Sequence, residues 1–135
     1  MQKPARLVKT TLILAACAAL VSSALNAQQP GFTRKMLQDQ NLSVPQRHAV
    51  QVVAEFAPGV AAGKHTHPGE ELGYVLEGTL LLEIEGEAPR TLKAGDSFFV
   101  PAGRPHDGRN TGSGSAKVLA TYIVEIGKPV ATPVK

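Results

Sequence analysis

Short apolar runs that alternate with polar residues and stop at glycine or proline constrain this chain more than any other feature. In residues 50–56 and 80–84 every second residue is apolar, and residues 97–100 and 118–125 form two further β-rich runs. Period-two alternation places every second side chain on one face of a strand. Glycine and proline together supply 23 of the 135 residues (13 + 10), enough for many turns. The pattern predicts an all-β sandwich or barrel.

The length allows one small domain and leaves no room for two hydrophobic cores. We assign the barrel to residues 46–127, where the strand pattern is continuous. Residues 28–45 are polar and lack a sustained period, so they are expected to form an extended arm with one helical turn at Arg34–Gln40. Residues 128–135 are rich in proline and valine and are expected to form a loose tail.

Residues 1–27 have the composition of a secretory signal peptide. Lys3, Arg6 and Lys9 precede an apolar run from Thr11 to Val21, and small and polar residues follow it. The run is shorter than the roughly 20 apolar residues that a membrane-spanning helix needs. Its apolar residues face all directions, which argues against a surface helix with a polar stripe. We therefore predict export to the periplasm or secretion.

The site of signal cleavage stays open among three alternatives. Cleavage after Ala24 satisfies the preference for small residues just before the cleaved bond, with Ser22 and Ala24 in those positions. Cleavage after Ala27 puts the larger Leu25 two residues upstream, which suits the preference less well. Leu14-Ala15-Ala16-Cys17 resembles a bacterial lipoprotein processing site, which would leave the protein lipid-anchored through Cys17. The apolar stretch continues past Cys17, so soluble export is favoured.

The charge of the mature chain excludes several classes of partner. Removing the three basic residues of the signal segment leaves 11 basic against 11 acidic residues (14 − 3 = 11), so the net charge of +3 belongs to that segment. A neutral domain lacks the positive surface that binds DNA or anionic lipid. Tryptophan is absent and aromatic residues make up 4%, which argues against stacking on single-stranded nucleic acid. The chain has one cysteine, so a metal in the barrel must bind without thiolate.

Three histidines and a glutamate form the candidate metal site. His65 and His67 are two residues apart, which places both imidazoles on one face of a strand. Glu71 follows four residues later, and His106 lies far along the chain. Imidazole nitrogens and a carboxylate oxygen together suit a divalent transition metal, such as Mn, Fe, Ni, Zn or Cu.

The residues around this set form two motifs with fixed spacing. The first reads G-x5-H-x-H-x3-E-x6-G from Gly59 to Gly78, and the second reads G-x5-P-x-G-x2-H-x3-N from Gly95 to Asn110. At all ten fixed positions the chain resembles the cupin superfamily. The resemblance implies a double-stranded β-helix, which is a small jelly-roll barrel. It also implies that one metal binds inside the barrel to the four side chains His65, His67, Glu71 and His106.

Other residues near the motifs have simpler interpretations. Glu70 would supply the carboxylate if the motif slipped by one residue, but strand alternation favours Glu71. Arg104 points either into the cavity or, equally well, into solvent. His48 is expected to be solvated. The large aromatic residues of the strands are expected to pack in the core rather than line the cavity, namely Tyr74, Phe99 and Tyr122.

Two classes of function fit these features. The first is a metal-dependent enzyme acting on a small organic molecule, such as a dioxygenase, decarboxylase, isomerase or lyase, with oxygenation the first reaction to test. The second is a non-catalytic module that binds a metal or small ligand, because the fold alone does not separate the two. The sequence shows no additional DNA-binding domain, which disfavours a single-chain transcription regulator. The superfamily resemblance also allows a homodimer paired through exposed sheet edges.

Overall fold

The computed structural model describes residues 29–135, in which two antiparallel sheets of five strands face each other. The first sheet has the order β1-β2-β9-β4-β7 and the second β10-β3-β8-β5-β6. No helix occurs among the described residues, which confirms the all-β prediction. The strands are β1 (Phe32–Asn41), β2 (Arg47–Phe56), β3 (His65–Thr66), β4 (Gly69–Glu77), β5 (Thr79–Ile84), β6 (Arg90–Lys93), β7 (Ser97–Val100), β8 (His106–Asn110), β9 (Ala116–Glu125) and β10 (Thr132–Pro133). The predicted signal segment and its cleavage sites lie outside this range.

Strand alternation separates an inner face from an outer face, as the sequence predicts. In β9 every second residue is buried, from Ala116 to Val124. In β5 the buried residues are Leu80, Leu82 and Ile84. These inner faces pack against each other between the sheets, and burial of their apolar area is the main source of stability.

The N-terminal arm is an extended edge strand, as its polar sequence allowed, but the helical turn expected at Arg34–Gln40 is wrong. β1 pairs antiparallel with β2 over its whole length, with one register shift between Met36 and Gln38. Only Phe32 of β1 is buried. The strand therefore lacks the apolar alternation that would have marked it, and its ladder of hydrogen bonds to β2 holds it in place.

The C-terminal residues are also tied into the sheet, where a loose tail was expected. Thr132 and Pro133 pair with Thr66 and His65 of β3, and the Val134 amide donates a hydrogen bond to the Lys64 carbonyl. This pairing brings the segment before β10 alongside the candidate metal site.

The glycines and the asparagine of the two motifs shape the turns. Gly59, Gly78, Gly95 and Gly103 all have positive φ, as expected for turns. At Gly78, moreover, a Cβ atom would lie 2.5 Å from the Ser115 carbonyl oxygen. Asn110 is fully buried, where its amide donates to the carbonyls of Phe56 and Gly114 and accepts from the Gly112 amide. Asn110 thus joins β8 to β2 at the end of the barrel far from the histidines.

Candidate metal centre

Strand pairing brings the four predicted ligands together at one end of the barrel. His65 on β3 is the register partner of His106 on β8. Glu71 lies on β4 of the opposite sheet, and His67 lies in the short connection between β3 and β4. All four side chains are buried. The alternation that turns Glu71 inward turns Glu70 away, as predicted.

The donor atoms of these side chains lie close to one another. Ligand nitrogens of the three histidines all lie within 4.8 Å of each other, a spacing that could hold a metal ion. Glu71 Oε2 lies 3.1 Å from His67 Nε2 and 3.0 Å from His106 Nε2. Side chains from both sheets therefore converge on one small volume.

Backbone carbonyls fix the orientation of each imidazole. Nδ1 of His65 donates to the Gly63 carbonyl, Nδ1 of His67 to the Val130 carbonyl, and Nδ1 of His106 to the Arg104 carbonyl. A proton held on Nδ1 leaves the lone pair of a neutral imidazole on Nε2. Such outer hydrogen bonds are typical of metal-binding histidines.

The donor set fits a divalent cation. His67 Nε2 is buried and has no hydrogen-bond partner, although the Glu71 carboxylate is near. A buried nitrogen without a partner costs free energy, and a cation bound among the four side chains would supply one. Three nitrogen donors and one oxygen donor suit Mn, Fe, Ni, Zn or Cu, and no thiolate is needed.

Burial and mutual contacts shift the pKa values of this cluster. Burial lowers the pKa of His65 to about 4, which outweighs the hydrogen bond to Gly63, so this imidazole is neutral at pH 7. Burial opposes ionisation of Glu71, but the hydrogen bond from His106 and the nearby His67 prevail and hold the pKa of Glu71 at about 2. Burial also lowers the pKa of His106, yet the Glu71 carboxylate raises it above its usual value overall. Without metal, His106 can therefore be an imidazolium that donates from both nitrogens.

Of the spaces that adjoin the cluster, two are bordered by the same two side chains. An interior cavity of about 30 Å³ is lined by His65, Glu71 and His106. An outer groove of about 320 Å³ is lined by His67 and the segment Pro129–Ala131. Arg34 and Tyr122 line both spaces. The interior cavity has room for two or three waters, at about 10–15 Å³ for each.

The structure decides the open position of Arg104 and corrects the expectation for His48. The Arg104 guanidinium donates a 2.8 Å hydrogen bond to the Glu85 carbonyl, on the outside of the barrel. His48 was expected to be solvated, and this is wrong: its Nδ1 lies 2.7 Å from Asp39 Oδ1, and its Nε2 is buried without a partner. Neither residue lines the interior cavity or the groove.

Of the three aromatic residues expected to pack in the core rather than line the cavity, only Tyr122 is buried, and it also lines both spaces. Tyr122 is 4% exposed, and its ring lies 4.5 Å from that of His67, measured between centroids. Tyr74 and Phe99 are about half exposed, because both occupy outward positions of β4 and β7. Phe98, the neighbour of Phe99, is the buried residue and packs over Gly73, where a Cβ atom would lie 2.1 Å from the ring.

Sequence reasoning missed two contributors to the site. Arg34 lies on β1, which was interpreted as an arm, so its inward position could not be recognised. The Val130 carbonyl lies in the segment that was interpreted as a loose tail, and a backbone acceptor leaves no signal in the residue type. No apolar alternation in β1 could have revealed that it is a strand, because only Phe32 of that strand is buried.

Comparison with known proteins identifies the family. The cupin domain model matches residues 52–122, more than half of the chain. The chain belongs to the cupin family. The match includes both motifs and all four candidate ligands of this cupin.

The relatives of this cupin differ in their named activities. It is 32% identical over 93 residues to the HTH-type transcriptional regulator PuuR of Escherichia coli (strain K12), an alignment that covers 68% of this chain and 48% of PuuR. It thus spans about half the length of that relative. It is 33% identical over 76 residues to oxalate oxidase 2 of Hordeum vulgare, which covers 50% of this chain and 34% of the oxidase.

Solved structures support the barrel architecture. The DMSP lyase DddQ from Ruegeria pomeroyi DSS-3 is similar with a TM-score of 0.66 and 25% identity, over 84% of this chain and 57% of that one. KdgF from Halomonas sp. is similar with a TM-score of 0.57 and 27% identity, over 70% and 80%. Together with the two facing sheets, these similarities support the double-stranded β-helix. Within residues 29–135, no helix has the length and apolar character needed to cross a membrane.

Proposed function

We propose that this cupin is an exported protein that binds one divalent transition metal through His65, His67, Glu71 and His106. We further propose that it acts as a metal-dependent enzyme on a small organic substrate, with oxygenation as the first reaction to test. The observation that supports the metal most strongly is the set of three Nδ1–carbonyl hydrogen bonds, which direct three imidazoles toward one carboxylate. Relatives named as an oxidase and a lyase support an enzymatic role.

The roles of the side chains follow from their contacts. A bound metal would supply Lewis acidity toward a carbonyl or enolate oxygen, or a site for O₂ chemistry. His65, whose pKa is lowered by burial, offers a neutral imidazole, and Glu71 contributes the negative charge that offsets a divalent cation. Tyr122 is buried and its ring lies against that of His67.

Metal analysis of matched variants tests the ligand set. The purified protein is analysed for metals by mass spectrometry after expression with Mn, Fe, Ni, Zn and Cu supplied. His106→Ala is expected to lose the metal or to bind it orders of magnitude more weakly, and His65→Ala to do the same. Glu70→Ala, the adjacent carboxylate that faces outward, should retain it. Undiminished metal in His106→Ala would show that the assignment is wrong.

Oxygen uptake separates the enzyme from a binding module. The metal-loaded protein is screened against phenolic and diketone compounds with an oxygen electrode. Consumption of O₂ that disappears in His106→Ala supports the oxygenase. Tight retention of a compound with no turnover favours the non-catalytic metal- or ligand-binding module.

Export and assembly are proposals as well. Periplasmic or secreted location follows from the signal-like segment, and amino-terminal sequencing of the recovered protein distinguishes cleavage after Ala24, cleavage after Ala27 and lipidation at Cys17. A homodimer is supported by exposed apolar side chains on the outer face of the first sheet, where Leu72 is the register partner of Phe99. Sedimentation equilibrium of the wild type measures that assembly.

A further inference from the structure

The groove beside the metal site has a mostly apolar wall and one full positive charge. Its volume is about 320 Å³, and its lining includes Met36, Val50, Val52 and Val130. Arg34 is the one lining residue that carries a full positive charge, and none of the lining residues is acidic. We refer to this space, between β1, β2 and the segment Pro129–Ala131, as the β1 groove.

Arg34 is exposed, but its side chain lies on the inner face of β1. It is the register partner of Ala54, which is buried, so the two side chains lie on the same face of the sheet. The Arg34 guanidinium carbon lies 4.7 Å from the centroid of the Phe32 ring, a cation–π contact that orients it. None of the ion pairs found among residues 29–135 includes Arg34. Its charge is therefore available to a ligand.

The sizes of the two spaces determine where a ligand can lie. The interior cavity of about 30 Å³ has room for two or three waters, so it is too small for an organic molecule with an apolar body. The β1 groove lies within the size range of small-molecule sites. Arg34 and Tyr122 border both spaces. A molecule in the groove therefore lies next to these two side chains, on the side that faces the candidate ligands.

Tyr122 adds a second donor at this boundary. Its side chain lines both spaces, and its ring lies 4.5 Å from that of His67, measured between centroids. A phenolic hydroxyl can donate a hydrogen bond. A guanidinium and a phenol at one boundary are both donors, which suits an acceptor with two oxygens.

We propose that Arg34 binds the carboxylate of a small monocarboxylic acid whose apolar body lies in the β1 groove. A guanidinium presents paired N–H donors that match the two oxygens of a carboxylate. A single cation in an apolar wall fits one carboxylate better than a polyanion, which would need several. As a substrate site this inference rests on the proposed metal centre, whereas carboxylate binding itself does not.

Binding of a matched acid and amide tests this inference. The probes are 4-methylpentanoate and 4-methylpentanamide, which share an apolar body and differ in charge, and binding is measured by calorimetry on chelator-treated protein. The acid is expected to bind at least about 10-fold more tightly than the amide, since hydrogen bonds between charged groups are the strong ones. Arg34→Gln should abolish that preference, and Arg34→Lys should retain part of it.

Lys35→Gln is the matched control, because Lys35 lies next to Arg34 on β1 but on the opposite face, as the partner of Val53. This variant should bind the acid as the wild type does. Equal binding of acid and amide, no binding of either, or wild-type acid binding by a folded Arg34→Gln variant would each overturn the inference. In the last case, a lowered melting temperature would assign Arg34 a purely structural contact with Phe32.

Metal content of the same samples keeps the two proposals distinguishable. A wild type that binds no metal but prefers the acid contradicts the metal centre and leaves the Arg34 site standing. A wild type that binds metal but shows no dependence on Arg34 contradicts the Arg34 site and leaves the metal centre standing.

Discussion

The two ends of the barrel use the same strands for different purposes. At one end β2 and β9 contribute Phe56, Ala116 and Val118 to a packed apolar cluster. At the other end the same strands contribute smaller or polar inner residues, such as Val50 and Tyr122, to a second, smaller cluster beside the histidines. We call these the closed end and the site end. The alternation of the strands is unchanged between them, and only the residue types facing inward differ.

This difference teaches how one fold provides both stability and a site. Close-packed apolar side chains at the closed end remove the most area from water and hold the two sheets together. The site end can therefore carry buried groups that cost free energy, such as His67 Nε2 without a partner. The predictions below test whether stability and ligand binding separate along the barrel in this way.

The largest expected effect is at the closed end, in a pair of adjacent phenylalanines on β7. Phe98 is 8% exposed and Phe99 is 51% exposed. Phe98→Ala should lower the free energy of unfolding by about 3–5 kcal/mol, because it leaves a cavity over Gly73. Phe99→Ala, the matched control on the outer face, should change it by about 0.5 kcal/mol or less. Denaturant unfolding of both variants measures the difference, and equal losses would contradict the assignment of inner and outer faces.

Sequence alone was sufficient to predict the parts of the fold whose pattern is local. Alternation identified the inner residues of β2 and β5, and the fixed spacing identified Glu71 rather than Glu70 as the inward carboxylate. Turn glycines were predictable for the same reason, since a positive φ is a local requirement.

The parts that sequence did not predict depend on long-range pairing. β1 has little apolar alternation and exists because β2 supplies its hydrogen-bond partners. Phe98 and Phe99 have similar hydrophobicity, so only the register of β7 against β4 decides which is buried. The position of Val130 beside His67 depends on a contact across 63 residues of sequence, which no local rule indicates.

A smaller effect is expected at the site end when the C-terminal segment is removed. Deletion of residues 129–135 takes away the Val130 carbonyl that accepts the proton of His67 Nδ1, and the β10 pairing with β3. Loss of such an outer partner typically weakens metal binding by about 10- to 100-fold. Metal affinity is measured by competition with a chelator of known strength.

Deletion of Lys135 alone is the control for this truncation, because it spares both contacts. Its metal affinity should equal that of the full chain. If the long deletion also binds metal as tightly as the full chain, the carbonyl does not orient His67, and the site end would depend on the strands alone.

The smallest effect is expected in the pH dependence of the metal-free protein. His65 has a pKa lowered to about 4, chiefly by burial, against an ordinary value of 6.5 in the unfolded chain. Between these values the unfolded state binds a proton that the folded state excludes, so the His65 contribution to stability is full above pH 6.5 and is lost as the pH falls toward 4. His106 has a raised pKa, so its contribution is full below pH 6.5 and is lost as the pH rises through the folded value. Because the two windows lie on opposite sides of pH 6.5, the free energy of unfolding should be greatest near pH 6.5 and should fall on either side by at most about 1.4 kcal/mol per pH unit. A titration of the imidazole signals by nuclear magnetic resonance in the presence of chelator resolves them separately.

Inflections of both rings near pH 6.5 would mean that the site end is solvated, and would remove the contrast with the closed end. The expected result, one ring near 4 and the other above 6.5, requires that the packed closed end stabilises a buried cluster whose own protonation equilibria oppose each other.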